Sequence, residues 1–340
     1  MKLRTSLLLL PLIAATACDS ADPLAIDTPS TRRADGYAAP AVREGFVTGA
    51  GGVQLFYHVE GTGPDTLVMV SGGPGLSYRY MAPDLGVLTR GRTVIYFDQR
   101  GSGSSTVIRD AAQLTPELQV ADIEAVRRHF GLETMSLAGH SAGANFAALY
   151  AAEHPARVAR LLMLSPAPAT GAFAQEFAYN RYVRTDPAEF ARQLAWIGAF
   201  MTGQVPKAEA VATCEALFTS IFHPYFADPA NQAAMRGRWC DQSSEQAGNA
   251  VFTLLTGLAA FEAPTWDIAA PAKRITAPTL VVYGAADVLP LANAQYWAGH
   301  ITGARLEVMG GAGHFPWLEQ PAAFFTTVNT FLHRGDVVQP

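Results

Sequence analysis

The stretch Met135-Ser136-Leu137-Ala138-Gly139-His140-Ser141-Ala142-Gly143-Ala144-Asn145-Phe146 decides how the chain is read. It reads as a short apolar strand, a tight turn of the form G-x-S-x-G, and the start of an Ala-rich helix. Gly139 and Gly143 flank Ser141 because a strand that turns sharply into a helix has no room there for side chains. Such a turn lifts the serine hydroxyl out of a sheet and sets it near a helix N-terminus. The five-residue pattern alone recurs by chance. The strand before it, the helix after it and the partners downstream give it weight.

Upstream, Thr66–Val70 and Thr93–Phe97 are continuous apolar runs, as expected of strands buried on both faces. The first runs into Ser71-Gly72-Gly73-Pro74-Gly75. The second runs into Asp98-Gln99-Arg100-Gly101-Ser102-Gly103-Ser104-Ser105. Gln54–Val59 alternates after the glycines of 49–52, which predicts an antiparallel hairpin. Thr115-Pro116-Glu117 opens a helix with Val120, Ile123, Val126 and Phe130 at helical spacing, and Gly131 stops it. Val158–Leu164 is a further buried strand.

Strands alternating with helices predict an α/β fold, with a mainly parallel sheet and helices on both faces. From about 167 to 273 that pattern breaks. The composition there is helical, with scattered aromatic residues, and predicts a helical cap inserted between two strands. The sheet resumes at Thr279–Tyr283, followed by a helix over Leu291–His300, a strand over Arg305–Met309 and a helix over Pro321–His333. The core therefore spans 44–166 and 274–334, with the cap at 167–273 and a short tail at 335–340.

A chain of 340 residues with 49% hydrophobic and 16% charged residues can bury a large core. Its net charge of -5 and lack of a basic block leave no electrostatic footprint for nucleic acid. Three cysteines exclude a cysteine-dense scaffold and a thiolate-rich metal cluster. Nothing in the sequence calls for a metal or a cofactor, and nothing fixes an oligomeric state.

Lys2 and Arg4, the apolar residues between Leu7 and Ala15, and Ala15-Thr16-Ala17 predict a secretory signal peptide over 1–17. The apolar run is too short to span a bilayer comfortably. With Cys18 directly after it, the segment resembles a bacterial lipoprotein signal, in which the cysteine becomes lipidated. Residues 18–43 then read as a flexible tether. The expectation is export from a bacterial cytoplasm to the periplasm or cell envelope, with membrane contact only through a lipid on Cys18.

A serine hydroxyl is a weak nucleophile at neutral pH and needs a base, itself oriented by a carboxylate. In a strand–helix architecture the partners follow in the order Ser, acid, His. Asp287 lies in the loop after Thr279–Tyr283, and His314 in the loop after Arg305–Met309. Both loops leave the carboxyl ends of strands, where open α/β sheets place their sites. Asp98 is a rival acid because it too ends a strand.

Through Gly139-His140-Ser141-Ala142-Gly143, Gly284-Ala285-Ala286-Asp287 and Gly311-Ala312-Gly313-His314-Phe315, the chain resembles the α/β-hydrolase family over about residues 44–334. The resemblance implies Ser141 as nucleophile, His314 as general base and acid, and Asp287 as orienting carboxylate. The oxyanion donors would be the backbone N–H groups of Ala142 and Gly73. Ser71–Gly75 and Asp98–Ser105 further resemble the paired motifs of proline iminopeptidases, serine peptidases that remove an N-terminal proline. Ser71 stands where those enzymes carry histidine, and Ala142 where they carry tryptophan. A free N-terminal amine would want an acid in the cap, for which Glu215, Asp241, Glu245 and Glu262 are candidates.

Cys214 and Cys240, both in the cap, read as a disulfide pair or as two buried thiols. The expected substrate is a small molecule or short peptide. The first expectation is a proline iminopeptidase-like aminopeptidase. The second is an esterase or amidase of small apolar substrates with the same triad. The third is a non-catalytic tethered binding protein on a hydrolase fold.

Overall fold

Strands that are apolar on both faces need cover on both sides, and that requirement sets the layers of this protein. The computed structural model describes residues 42–240, 243–260 and 266–333. Its strands are β1 (Arg43–Thr48), β2 (Gln54–Glu60), β3 (Asp65–Val70), β4 (Arg92–Phe97), β5 (Met135–His140), β6 (Val158–Leu164), β7 (Thr279–Gly284) and β8 (Arg305–Met309). They form one sheet in the order β1-β2-β4-β3-β5-β6-β7-β8. The β1–β2 and β2–β4 pairs are antiparallel and the other pairs parallel.

The helices are α1 (Ala82–Leu85), α2 (Pro116–His129), α3 (Ala142–Glu153), α4 (Gly171–Arg184), α5 (Pro187–Met201), α6 (Ala210–Phe222), α7 (Ser244–Ala260), α8 (Leu291–His300), α9 (Pro316–Glu319) and α10 (Pro321–Leu332). None is long and apolar enough to cross a membrane. Thr115 caps α2 by accepting the Leu118 N–H, with Pro116 in the first turn. Alternate residues of the central strands feed two separate cores. Val68, Val70, Leu137 and Leu161 pack with Ile123, Phe146 and Trp297 on one face. Leu67, Met69, Ala138 and Leu162 pack with Leu85, Phe324 and residues of α6 and α7 on the other.

The chain between β6 and β7 carries α4 to α7. Cys214 of α6 and Cys240 are joined by a disulfide, with Cα atoms 5.9 Å apart and 26 residues of sequence separation. Helix α4 is tied to the loop after β7. Asn180 donates to the Val288 carbonyl at 3.1 Å, and Arg184 donates to the carbonyls of Ala286 and Asp287 at 2.9 and 3.1 Å.

Strand β3 has β4 on one side and β5 on the other, so the loops leaving β3 and β5 diverge. This is the switch point at which open α/β sheets form a crevice. The expected signal peptide, Cys18, residues 18–41 of the expected tether, Asp241, Glu262 and the 335–340 tail lie outside the described residues, whereas Arg43, expected in the tether, begins β1.

Candidate active site

Ser141 sits between β5 and α3 with φ 54° and ψ -123°, a left-handed conformation that costs a non-glycine residue on the order of 1–3 kcal/mol. The fold holds it there. Its N–H donates to the Leu164 carbonyl at 2.9 Å, and its carbonyl accepts from Ala144 at 3.0 Å and Ala167 at 3.1 Å. The flanking glycines are needed for space. A Cβ on Gly139 would lie 2.2 Å from the Gly143 carbonyl oxygen, and one on Gly143 2.3 Å from that of Ser71.

The loops after β7 and β8 bring Asp287 and His314 together. His314 Nδ1 lies 2.9 Å from Asp287 Oδ2, with both side chains almost fully buried. A carboxylate accepts, so Nδ1 carries the proton and Nε2 is left as the basic end. Nε2 is buried and has no hydrogen-bond partner among the described residues. Asp287 is itself oriented by the Leu289 N–H at 3.1 Å, and the His314 N–H donates to the Tyr225 carbonyl at 2.8 Å. His314, Ser141 and Gly73 line one cavity of about 500 Å³, within the usual range for a small-ligand site.

The loop after β3 packs directly on the serine turn, since a Cβ on Gly72 would lie 3.1 Å from Ser141 Cβ. Gly73 has φ +117° and precedes a cis bond to Pro74. Gln99 holds this loop by donating from Nε2 to the Ser71 carbonyl at 2.7 Å and to its hydroxyl at 3.1 Å; that hydroxyl also lies 3.1 Å from the Leu76 carbonyl oxygen.

The residues around Gln99 are a frame. Asp98 accepts from the Tyr78 N–H at 3.0 Å and the Ser104 N–H at 2.7 Å. Burial pushes its carboxyl up to about 6, against the pull of those N–H donors. Arg100 grips Asp122 through two 2.7 Å contacts, both side chains buried. Asp98, the rival acid, is thus committed to the loop backbone, while Asp287 is the carboxylate on His314.

Sequence reasoning overlooked His140, Tyr80, Tyr225 and Arg181. His140 Nε2 lies 3.1 Å from the His314 carbonyl oxygen, and Nδ1 lies 2.5 Å from the Tyr80 hydroxyl. Burial, then the nearby His314, push its pKa well below the ordinary histidine value, so the ring is neutral. The carbonyl requires a proton on Nε2, so Tyr80 donates to Nδ1 and its oxygen accepts the Gly72 N–H at 2.9 Å. The position of His140 inside G-x-S-x-G was the available signal.

The cavity walls are mostly apolar, with Leu76, Phe177, Ile197, Phe222, Leu254 and Phe315 among them. Arg181 of α4 is the one arginine in the lining, and no Asp, Glu or Lys side chain joins it among the described residues. Glu215 accepts from the Cys240 N–H at 2.8 Å, and Glu245 pairs with Arg109 on the surface. Neither reaches the cavity. Among the described residues no cluster of three or more His, Cys, Asp or Glu is placed to hold a metal ion.

A family model for the alpha/beta hydrolase fold matches residues 65–321. The chain belongs to the α/β-hydrolase family. It is 25% identical over 296 residues to a proline iminopeptidase of Heyndrickxia coagulans, covering 85% of this chain and 98% of that one. It is 30% identical over 298 residues to a 2-hydroxymuconate semialdehyde hydrolase of Pseudomonas sp. (strain CF600), covering 84% and 93%. Among solved structures, a proline iminopeptidase from Mycobacterium smegmatis superimposes with a TM-score of 0.62 at 25% identity, covering 86% of this chain and 98% of that one. The protein is therefore a hydrolase of α/β fold in the proline iminopeptidase-like branch.

Proposed function

We propose that this hydrolase works through an acyl-enzyme on Ser141. The carrying observation is the buried His314–Asp287 pair, whose basic Nε2 is left open beside the cavity that Ser141 lines. His314 would take the hydroxyl proton as Ser141 attacks an acyl carbon, then return it to the leaving group. Water would attack the acyl-enzyme by the same route in reverse roles. Asp287 would hold the imidazole in its tautomer and stabilise the imidazolium. The Ala142 and Gly73 amides would receive the developing oxyanion, a donation whose loss typically lowers kcat by ~10²–10³-fold.

Of the two catalytic readings, the cavity favours hydrolysis of a small, largely apolar ester or amide. An aminopeptidase must hold a cationic amine, and no carboxylate side chain lines the cavity among the described residues. The relatives and the Gly72–Gly75 and Asp98–Ser105 motifs support the aminopeptidase reading instead. A panel of prolyl and alanyl naphthylamides against short-chain nitrophenyl esters, with Ser141→Ala as control, decides between them. The expected result is ester turnover that disappears in Ser141→Ala. Turnover of the prolyl substrate alone would contradict it, and no turnover or fluorophosphonate labelling at all would favour a binding role.

We also propose export with a lipid on Cys18, on the strength of residues 1–18 and the Cys214–Cys240 disulfide, a bond typical of oxidising compartments. Fatty-acid labelling of the full-length protein in cells is expected to be lost in Cys18→Ser. Label persisting in that variant would contradict lipidation.

A further inference from the structure

We propose that Arg181 is the carboxylate-binding residue of this cavity, so that the preferred substrate carries an anionic carboxylate on the acyl group that Ser141 would attack. This rests on the serine-hydrolase reading of the cavity given above.

An arginine facing a mostly apolar cavity is costly unless its charge is used. Arg181 is half-buried, and among the described residues no carboxylate pairs with it. Its one hydrogen bond there runs from Nη1 to Gln193 Oε1 at 3.2 Å, and its guanidinium lies 5.5 Å from the Phe190 ring centre. A guanidinium has five N–H donors, so most of its capacity is not taken by the protein.

The side chain is held in place. Gln193 is 2% exposed and donates from Nε2 to the Ser220 hydroxyl at 2.9 Å. Ser220 in turn donates to Glu189, whose other oxygen pairs with Arg192 at 2.6 Å. The two Glu189 carboxylate oxygens are thus engaged by Ser220 and Arg192. Gln193 keeps its carbonyl toward Arg181 because its amide is committed to Ser220.

Arg181 and Tyr225 line the same cavity as Ser141 and His314, and the Tyr225 ring packs edge-on against His314 with centroids 5.2 Å apart. A lone, planar cation with apolar surroundings suits one carboxylate, which it can bind through two parallel hydrogen bonds. The same charge repels a protonated N-terminal amine.

The test uses two esters that differ only at the far end of the acyl chain, 4-nitrophenyl pentanoate and 4-nitrophenyl hemiglutarate. Wild type is expected to favour the hemiglutarate. The ratio of the two kcat/KM values is expected to fall roughly tenfold to a hundredfold in Arg181→Gln, the worth of a charge-assisted hydrogen bond, and to recover in part in Arg181→Lys. A ratio unchanged within about twofold in Arg181→Gln would overturn the proposal.

Calorimetric binding of monomethyl glutarate separates this proposal from the acyl-enzyme reading. It is expected in Ser141→Ala and lost in Ser141→Ala/Arg181→Gln. If neither ester is turned over, the acyl-enzyme reading fails while this binding still decides the role of Arg181. Absence of binding, or equal binding by both proteins, would count against it.

Discussion

The ring of His140 bridges to the backbone of His314, its Nε2 3.1 Å from the carbonyl oxygen, with the two rings 4.6 Å apart. Together with Tyr80 and the Gly72 N–H this makes one directed chain from the loop after β3 to the loop after β8. The residue before the expected nucleophile thus joins the expected oxyanion loop to the expected base. Tyr80 is itself stacked on Trp239 at 5.2 Å, next to the Cys214–Cys240 disulfide.

Tyr80→Phe keeps the ring stacking and removes both polar links. It leaves the Gly72 N–H and His140 Nδ1 without their partner in a buried site, which costs about 1–3 kcal/mol per group. We expect lower stability in urea and a fall of roughly tenfold in kcat with KM little changed. A variant with a raised KM and unchanged kcat would show that the chain does not position the catalytic groups.

Asp98 predicts a pH effect on stability. Its folded pKa is raised from 3.8 to about 6 by burial, so the folded protein binds this proton more tightly than the unfolded chain. That contribution is fully present below the unfolded value and is lost as pH rises through about 6. The difference in unfolding free energy between wild type and Asp98→Asn should therefore shrink between pH 4.5 and 7.5, by about 2 kcal/mol. Urea unfolding at both pH values checks this, and a pH-independent difference would contradict it.

The disulfide closes a loop with 26 residues of sequence separation. In the chain-entropy account such a closure stabilises by about 3.5 kcal/mol. The Cys214→Ser/Cys240→Ser double variant should unfold at correspondingly lower urea concentration than the oxidised protein, and wild type under reductant should move the same way. Unfolding curves that do not respond to reductant would argue against the bridge.

The central strands β3, β4, β5, β6 and β7 were legible as short, largely apolar runs and β2 as an alternating one, and the structure starts and stops β6 and β8 where the sequence reading placed them. The pairing of Asp287 with His314 was legible because both loops leave the carboxyl ends of neighbouring parallel strands. Tyr80 was not, since it reaches His140 across 60 residues of sequence from a short turn with no periodic pattern. Arg181 was not either. On α4 it has the same spacing and chemistry as the solvent-facing Arg184, and only the packing of α4 over the cavity distinguishes the two. Asp98 shows the converse. Its place at a strand end offered it as a triad acid, yet two backbone N–H groups hold it in the frame.

The acyl-enzyme on Ser141 is tested most directly by reacting the protein with a fluorophosphonate and mapping the modified peptide by mass spectrometry. The account predicts a single adduct on Ser141, absent in Ser141→Ala and formed at least ~10³-fold more slowly in His314→Ala, in line with loss of the general base. An adduct on another residue, or full hydrolytic activity in Ser141→Ala, would contradict it.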